Sequence, residues 1–262
     1  MYDFHTDNKK YFEIQLSNVR QWIVPFVQQV KVIEPGMQLL EIGCGQGSLL
    51  RAFCEVGCNC TGVEMYPLWL EKATEWLQPE ITAGKVRLIN SNIYNVDAEK
   101  DLQTKFDIIV LKDVIEHIHD QEKLIGWMKN FLRPEGIILF AFPPWQMPFG
   151  GHQQMLQGWL GKAPYWHLLP MPLFKKLLKI NKQYSEDLVE IKETGISIER
   201  FEKILKKTGY QILLQKHWLI NPVYEYKFGW KPRKQFSWIQ SIPFVRNFFT
   251  TAVYFITSPI NK

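Results

Sequence analysis

The chain lacks an uncharged apolar run of the ~18 residues that a membrane-spanning helix needs. Its most apolar stretch, residues 242–260, is broken by Arg246, Asn247, three Thr and two Pro. The start, Met-Tyr-Asp-Phe-His-Thr-Asp-Asn-Lys-Lys, lacks the basic-then-apolar order of a secretory leader. Cysteine is scarce: Cys44, Cys54, Cys58 and Cys60 are the only four, and all fall within 17 positions. Without a leader the reading is reduced thiols in a cytoplasmic protein. The spacing of the last three matches no zinc or cluster pattern. Internal repeats and low-complexity stretches are missing too. With 46% hydrophobic and 22% charged residues, the composition excludes a disordered chain, a collagen and a disulfide mini-scaffold.

What is plentiful is aromatic: 14% of the residues, with ten Trp. Charge is divided along the chain. Residues 1–150 hold 14 Lys+Arg against 19 Asp+Glu, a net −5, and residues 151–262 hold 17 against 7, a net +10. An acidic first part and a basic second part suggest different jobs.

Residues 9–31 carry Phe12, Leu16, Val19, Ile23, Phe26, Val27 and Val30 at helical spacing, with a break or kink expected near Ile23–Val24 before Pro25. Strand and helix then alternate. The strands are Met37–Ile42, Cys60–Glu64, Val86–Asn90, Phe106–Leu111 and Ile137–Phe142, and the helices are Ser48–Val56, Pro67–Leu77 and Gln121–Leu132. Short all-apolar strands are buried on both faces, which predicts an α/β, doubly wound, mostly parallel sheet. A helix over Ile198–Lys207 and strands over Tyr210–Leu219 and Thr251–Thr257 bring the expected total to seven strands. Two insertions follow the fifth and sixth strands: 143–196, expected on the substrate side, and 220–249, aromatic and basic. The expectation is a single domain over 1–262, with an N-terminal helical segment 1–35, a cofactor-binding core 36–142 and a C-terminal part 197–262.

Leu39-Leu40-Glu41-Ile42-Gly43-Cys44-Gly45-Gln46-Gly47-Ser48 is a strand running through a Gly-rich turn into a helix. Glycines allow a sharp turn and close approach of backbone to a ligand. The next strand ends at Glu64, 21 residues past Gly43, where an acid can accept both hydroxyls of a ribose. The Gly-x-Gly-x-Gly spacing departs from the dinucleotide fingerprint, and no Gly-Lys-Ser/Thr follows. LLEIGCGQGSLL, Glu64, FDIIVLKDVIEHIHD and FLRPEGIILFAFPP, in this order across residues 37–143, resemble the class I S-adenosylmethionine-dependent methyltransferases. The PPW…PFGGHQQ stretch resembles an uncharacterised bacterial subgroup of such proteins. The resemblance implies S-adenosylmethionine as cofactor and S-adenosylhomocysteine as product. It places Gly43, Cys44, Gly45 and Gly47 along the methionine part, Glu64 on the ribose, Met65 beside the adenine, Asn92 and Ile93 at the adenine edge, and Lys112 and Asp113 by the methionine group. Glu41 either holds the glycine loop or meets the ligand directly. Asp113 and Glu116 either face the ligand or begin the helix that follows.

Methyl transfer requires alignment of acceptor and donor and exclusion of water. A hydroxyl or protonated amine needs a base as well, for which the candidates are His152, His167, His117 and His119. His152 leads, because Pro143-Pro144-Trp145-Gln146-Met147-Pro148-Phe149-Gly150-Gly151-His152 directly follows the fifth strand. No metal is expected: Glu116-His117-Ile118-His119-Asp120 offers ligand types, but neighbouring side chains at a strand-to-helix turn diverge. Residues 218–255 interleave aromatics with Lys227, Lys231, Arg233, Lys234 and Arg246. This pattern suits peripheral contact with an anionic membrane, nucleic-acid stacking, or an ordinary core with a basic rim. A nucleic-acid partner is not favoured, since the Asn/Asp-Pro-Pro-Tyr/Phe signature is missing after the fourth strand. The reading is methyl transfer to a small-molecule or lipid-linked acceptor. The alternative is a catalytically silent scaffold that only binds the cofactor.

Overall fold

The computed structural model describes residues 7–260. Five strands run parallel: β1 (Gln38–Ile42), β2 (Asn59–Glu64), β3 (Val86–Asn90), β4 (Phe106–Lys112) and β5 (Leu132–Phe142). β6 (Tyr210–Ile220) and β8 (Ala252–Pro259) complete the expected seven, with β8 antiparallel to both β5 and β6. An eighth strand, β7 (Arg233–Lys234), pairs with β6 inside the aromatic and basic insertion. Its two exposed basic residues carry no apolar signal that sequence reading could detect. The order across the sheet is β3-β2-β1-β4-β5-β8-β6-β7.

Alternate residues of the central strands feed two separate cores, as the period of two requires. Leu39, Ile108, Val110 and Leu139 face one layer, where Phe12, Leu16 and Phe26 meet Leu50 and Phe53. Leu40, Ile109, Leu111 and Phe140 face the other, where Leu124, Phe131, Phe201 and Leu205 pack. The first layer is made by α1 (Asn8–Asn18), α2 (Val24–Gln28), α3 (Ser48–Glu55), α4 (Pro67–Trp76) and α5 (Gln78–Thr82). The second is made by α6 (Gln121–Trp127) and α9 (Ile198–Lys207).

At Ile23–Val24, where a break or kink is expected, a π-helical turn (Val19–Ile23) gives way to α2, with Val24 N–H bonded to Val19 O. Proline has no N–H to give, and placing it in the first turn of α2 removes that cost. α6 stops at Trp127 rather than Leu132: a 3-10 turn (Met128–Phe131) intervenes, and Leu132 already pairs with Phe106 across the sheet.

The segment after β5 folds over the carboxyl ends of the strands and has its own core. α7 (Met171–Ile180) and α8 (Glu186–Thr194) contribute Phe174, Leu178, Leu188 and Val189, which pack on Leu160 and Trp166. Trp145 ties the two ends of the segment together: its backbone N–H bonds Ile196 O, and its indole fills the space that a Cβ on Gly195 would need. After β6, α10 (Val223–Phe228) returns to α1, where Val223 meets Ile14. α11 (Ser237–Gln240) and α12 (Val245–Phe248) lead into β8. Among the described residues no helix is long and apolar enough to cross a membrane. All four cysteines are free and buried, which fits the reduced-thiol reading.

Candidate functional site

The glycine loop sits between β1 and α3. Gly43, Gly45 and Gly47 have φ of 71°, 52° and 83°, a region that costs a side-chain-bearing residue roughly 1–2 kcal/mol. Gly43 is fixed twice over, because a Cβ there would lie 2.6 Å from Cγ2 of Val114, the second residue beyond β4. Glu64 is only 4% exposed. Its Oε2 accepts the Gly45 N–H and its Oε1 accepts the Tyr66 N–H, both at 2.9 Å. The loop-holding role offered to Glu41 is therefore taken by Glu64, and each Glu64 oxygen keeps a second lone pair. Glu41 is buried behind it with Oε2 unpaired. Burial pushes the Glu41 carboxyl well above the usual range, with Glu64 adding to the push and Lys112 opposing it. Cys44 is buried against Gly62, and burial raises its thiol well above its ordinary value. Met65 is exposed beside Glu64, Asn92 caps a 3-10 turn by accepting the Tyr94 N–H, and Ile93 is buried.

Beyond β4 the backbone twists again. Asp113 has φ 56°, a left-handed conformation in a non-glycine residue, and its N–H bonds Ala141 O at 2.7 Å. Its side chain is half exposed yet has protein on most sides, so it lines a crevice open to water. Lys112 donates to Asp113 and to Gln15 of α1. Burial works to discharge Lys112, but Asp113, Tyr11 and Glu41 outweigh it and hold the ammonium above its ordinary pKa. Burial opposes the ionisation of Asp113 in turn, and Lys112, Lys227 and His152 overcome it. Tyr11 of α1 and Tyr224 and Lys227 of α10 complete this polar group. Burial raises both phenols, Tyr224 to about 12, and lowers Lys227 to about 8. Sequence reading singled out neither tyrosine, since only the packing of α10 on α1 brings them to Asp113.

Of the histidines, His152 and His117 belong to this crevice and the other two do not. Gly150 and Gly151 make the turn that delivers His152: a Cβ on the first would strike Trp145 O at 2.2 Å, and on the second His167 Cβ at 2.4 Å. The His152 ring lies 5.1 Å from that of His117, edge to face. Burial lowers both imidazoles, His152 to about 4, so both are neutral at pH 7. His167 is fully buried. Its Nδ1 meets Gln153 Nε2 at 2.9 Å and its Nε2 meets Trp145 O at 2.8 Å. With both nitrogens engaged it is a strut of the segment, which corrects its assignment as a base. His119 points outward to Glu190 at 2.9 Å, and Asp120 caps α6. Those two side chains diverge as expected. Glu116 and His117 do not: both converge on His152.

A family model for a methyltransferase domain matches residues 16–215. The chain is 30% identical over 106 residues to a ubiquinone biosynthesis O-methyltransferase of Rhodopseudomonas palustris, covering 40% of each protein. It thus spans about two fifths of the length of such curated relatives. Among solved structures, the magnesium protoporphyrin IX methyltransferase of Synechocystis PCC 6803, with bound S-adenosylhomocysteine, superposes with a TM-score of 0.52 at 13% identity, over 96% of this chain and 84% of that one. A methyltransferase of Clostridium acetobutylicum superposes with a TM-score of 0.53 at 14% identity, over 97% and 93%. At such identities the structures speak for the fold, while the family match covers three quarters of the chain, from α1 through the glycine loop into β6. The chain belongs to the class I S-adenosylmethionine-dependent methyltransferase family.

Proposed function

We propose that this chain, as a single domain, transfers a methyl group from S-adenosylmethionine to a small-molecule acceptor bound in the crevice beside Asp113. The observation that carries the reading is the left-handed glycine loop, Gly43 to Gly47, locked to the buried carboxylate of Glu64. The residues present fit the cofactor: Glu41 keeps a buried oxygen without a partner. Glu64 would take the ribose hydroxyls on its free lone pairs. Gly43, Cys44, Gly45 and Gly47 would pass the methionine part, with Lys112 and Asp113 at its far end. Met65, Asn92 and Ile93 would border the adenine. When bound, the cofactor supplies an electrophilic methyl group on a sulfonium. The protein then has to hold the acceptor in line and keep water out. Tyr11 and Tyr224 would line the acceptor's side of the crevice, and His152, neutral at pH 7, would serve as base for an acceptor hydroxyl.

Native mass spectrometry with added S-adenosylhomocysteine tests the reading, and one bound equivalent is expected. Glu64→Ala should weaken that binding by roughly 2–4 kcal/mol, the worth of paired hydrogen bonds to a charged acceptor. Unchanged affinity in a folded variant contradicts the ribose assignment. Binding without turnover across an acceptor screen leaves the silent scaffold.

A second reading concerns where the acceptor is met. Trp230, Phe236, Trp238, Phe244 and Phe249 are exposed, Trp238 to 66%, and Lys231, Arg233 and Lys234 lie among them. Aromatic rings interleaved with cations suit the headgroup level of an anionic membrane and a lipid-linked acceptor. Flotation with anionic liposomes should carry the protein at low salt and release it at high salt. No flotation at either salt removes this reading.

A further inference from the structure

Glu116, His117 and His152 do not touch the glycine loop, and what they share is each other. One ligand atom from each lies within 4.8 Å of the other two. They come from two chain segments. Glu116 and His117 belong to the 3-10 turn after β4, and His152 to the glycine turn after β5. Both turns are pinned from behind. Gln121, buried, donates to Ile115 O at 3.0 Å and to Thr194 O at 2.7 Å, tying the first turn to α8. Gly151 closes on His167 and tightens the second. His152 also sits at φ 53°, a strained backbone for an imidazole-bearing residue.

Glu116 calls for an explanation. It is 4% exposed, and neither carboxylate oxygen has a hydrogen-bond partner among the described residues. Protein interiors rarely leave two such atoms unpaired, because the desolvation is not returned. The imidazoles beside it meet edge to face, so neither ring covers the other. His119 and His167, by contrast, spend their nitrogens on Glu190, Gln153 and Trp145. A cation between Glu116 and the two rings would satisfy the orphaned carboxylate and employ both histidines.

We propose that Glu116, His117 and His152 form a binding site for a divalent transition-metal ion. Two imidazoles and one carboxylate suit zinc, manganese, iron, cobalt or nickel better than magnesium or calcium, which prefer all-oxygen shells. Three protein ligands would leave coordination positions for water or an acceptor atom. An acceptor oxygen held there would be oriented and its hydroxyl made more acidic, which would replace the base role of His152 once that ring is a ligand. That role rests on the methyl-transfer reading, whereas the site itself does not.

The test is a titration of chelator-treated protein with Co2+ and, separately, Zn2+, followed by calorimetry and by the visible spectrum of bound cobalt. One ion per chain is expected, with absorption bands diagnostic of nitrogen ligands. His152→Ala and the near-isosteric Glu116→Gln should each weaken Co2+ by more than about tenfold, the smallest loss usual even for outer partners of a metal. His119→Ala should leave it unchanged. Circular dichroism keeps the comparison to folded variants, and Glu116→Gln serves where His152→Ala fails to fold. Folded wild-type protein that binds neither ion at millimolar concentration overturns the proposal, as does full-strength binding in both site variants. S-adenosylhomocysteine binding, measured alongside, separates the two readings. A chain that binds it but no metal keeps the methyltransferase reading and loses this site, and the converse result keeps only the site.

Discussion

Single positions carry more of this site than their size suggests. Gly43 has both a left-handed backbone and Val114 pressed against it, 2.6 Å from where a Cβ would sit. Gly43→Ala should cost about 1–2 kcal/mol for the backbone and about 1–3 kcal/mol more for overpacking. Valine is stiff at χ1 and cannot swing clear. Chemical denaturation of Gly43→Ala, Val114→Ala and the double variant separates the two costs. The double variant should recover the packing share and leave the backbone share. Strict additivity would show that Val114 does not constrain the loop. The same logic makes Val114 a positioning residue, because it links the glycine loop to the turn that holds Asp113.

At the level of elements, the segment after β5 is a small unit with its own core, its two ends held together by Trp145. That indole packs on Gly195, meets the His167 ring at 4.8 Å and lies under the Lys192 ammonium at 5.2 Å. Trp145→Ala should loosen residues 146–195 while the central strands persist. Limited proteolysis should then cut within the segment, with far-ultraviolet circular dichroism nearly unchanged. Cleavage spread evenly along the chain would deny the segment its separate character. The strands were legible in the sequence because β4 and β5 contain the apolar runs 108–111 and 137–142 and β1 leads into the glycine loop, and the loop because its spacing is demanded by its backbone. β7 was not legible, being two basic residues held by their partner strand. The π-helical turn was not either, since it is one way among several of accommodating Pro25. The site was half legible. His152, Asp113 and Glu116 lie in or beside motifs, but Tyr11 and Tyr224 are brought there by contacts across more than a hundred residues of chain. His167 looked like His152 in sequence and proved to be spent on Gln153 and Trp145.

For the whole molecule, acid should be the weak side. His217 is buried beside Arg246, and neither ring nitrogen has a hydrogen-bond partner among the described residues. Burial first, and Arg246 second, lower it from 6.5 to about 4. The unfolded chain therefore binds the proton first as pH falls. Stability from this group is complete above pH ~6.5 and declines down to pH ~4, by up to about 3 kcal/mol. His217→Leu should flatten that part of the stability-pH curve and cost little at pH 7, because no hydrogen bond is lost. An unchanged slope would place the acid sensitivity elsewhere. The order of the sheet has a further consequence, for synthesis. β8, the last of the eight strands to leave a ribosome, lies between β5 and β6. Until it emerges, the nascent chain holds a five-stranded half-sheet and a detached β6, each with an open apolar edge. Such edges recruit one another between neighbouring chains. The sheet can therefore close only once β8 has been made, whatever has folded before it.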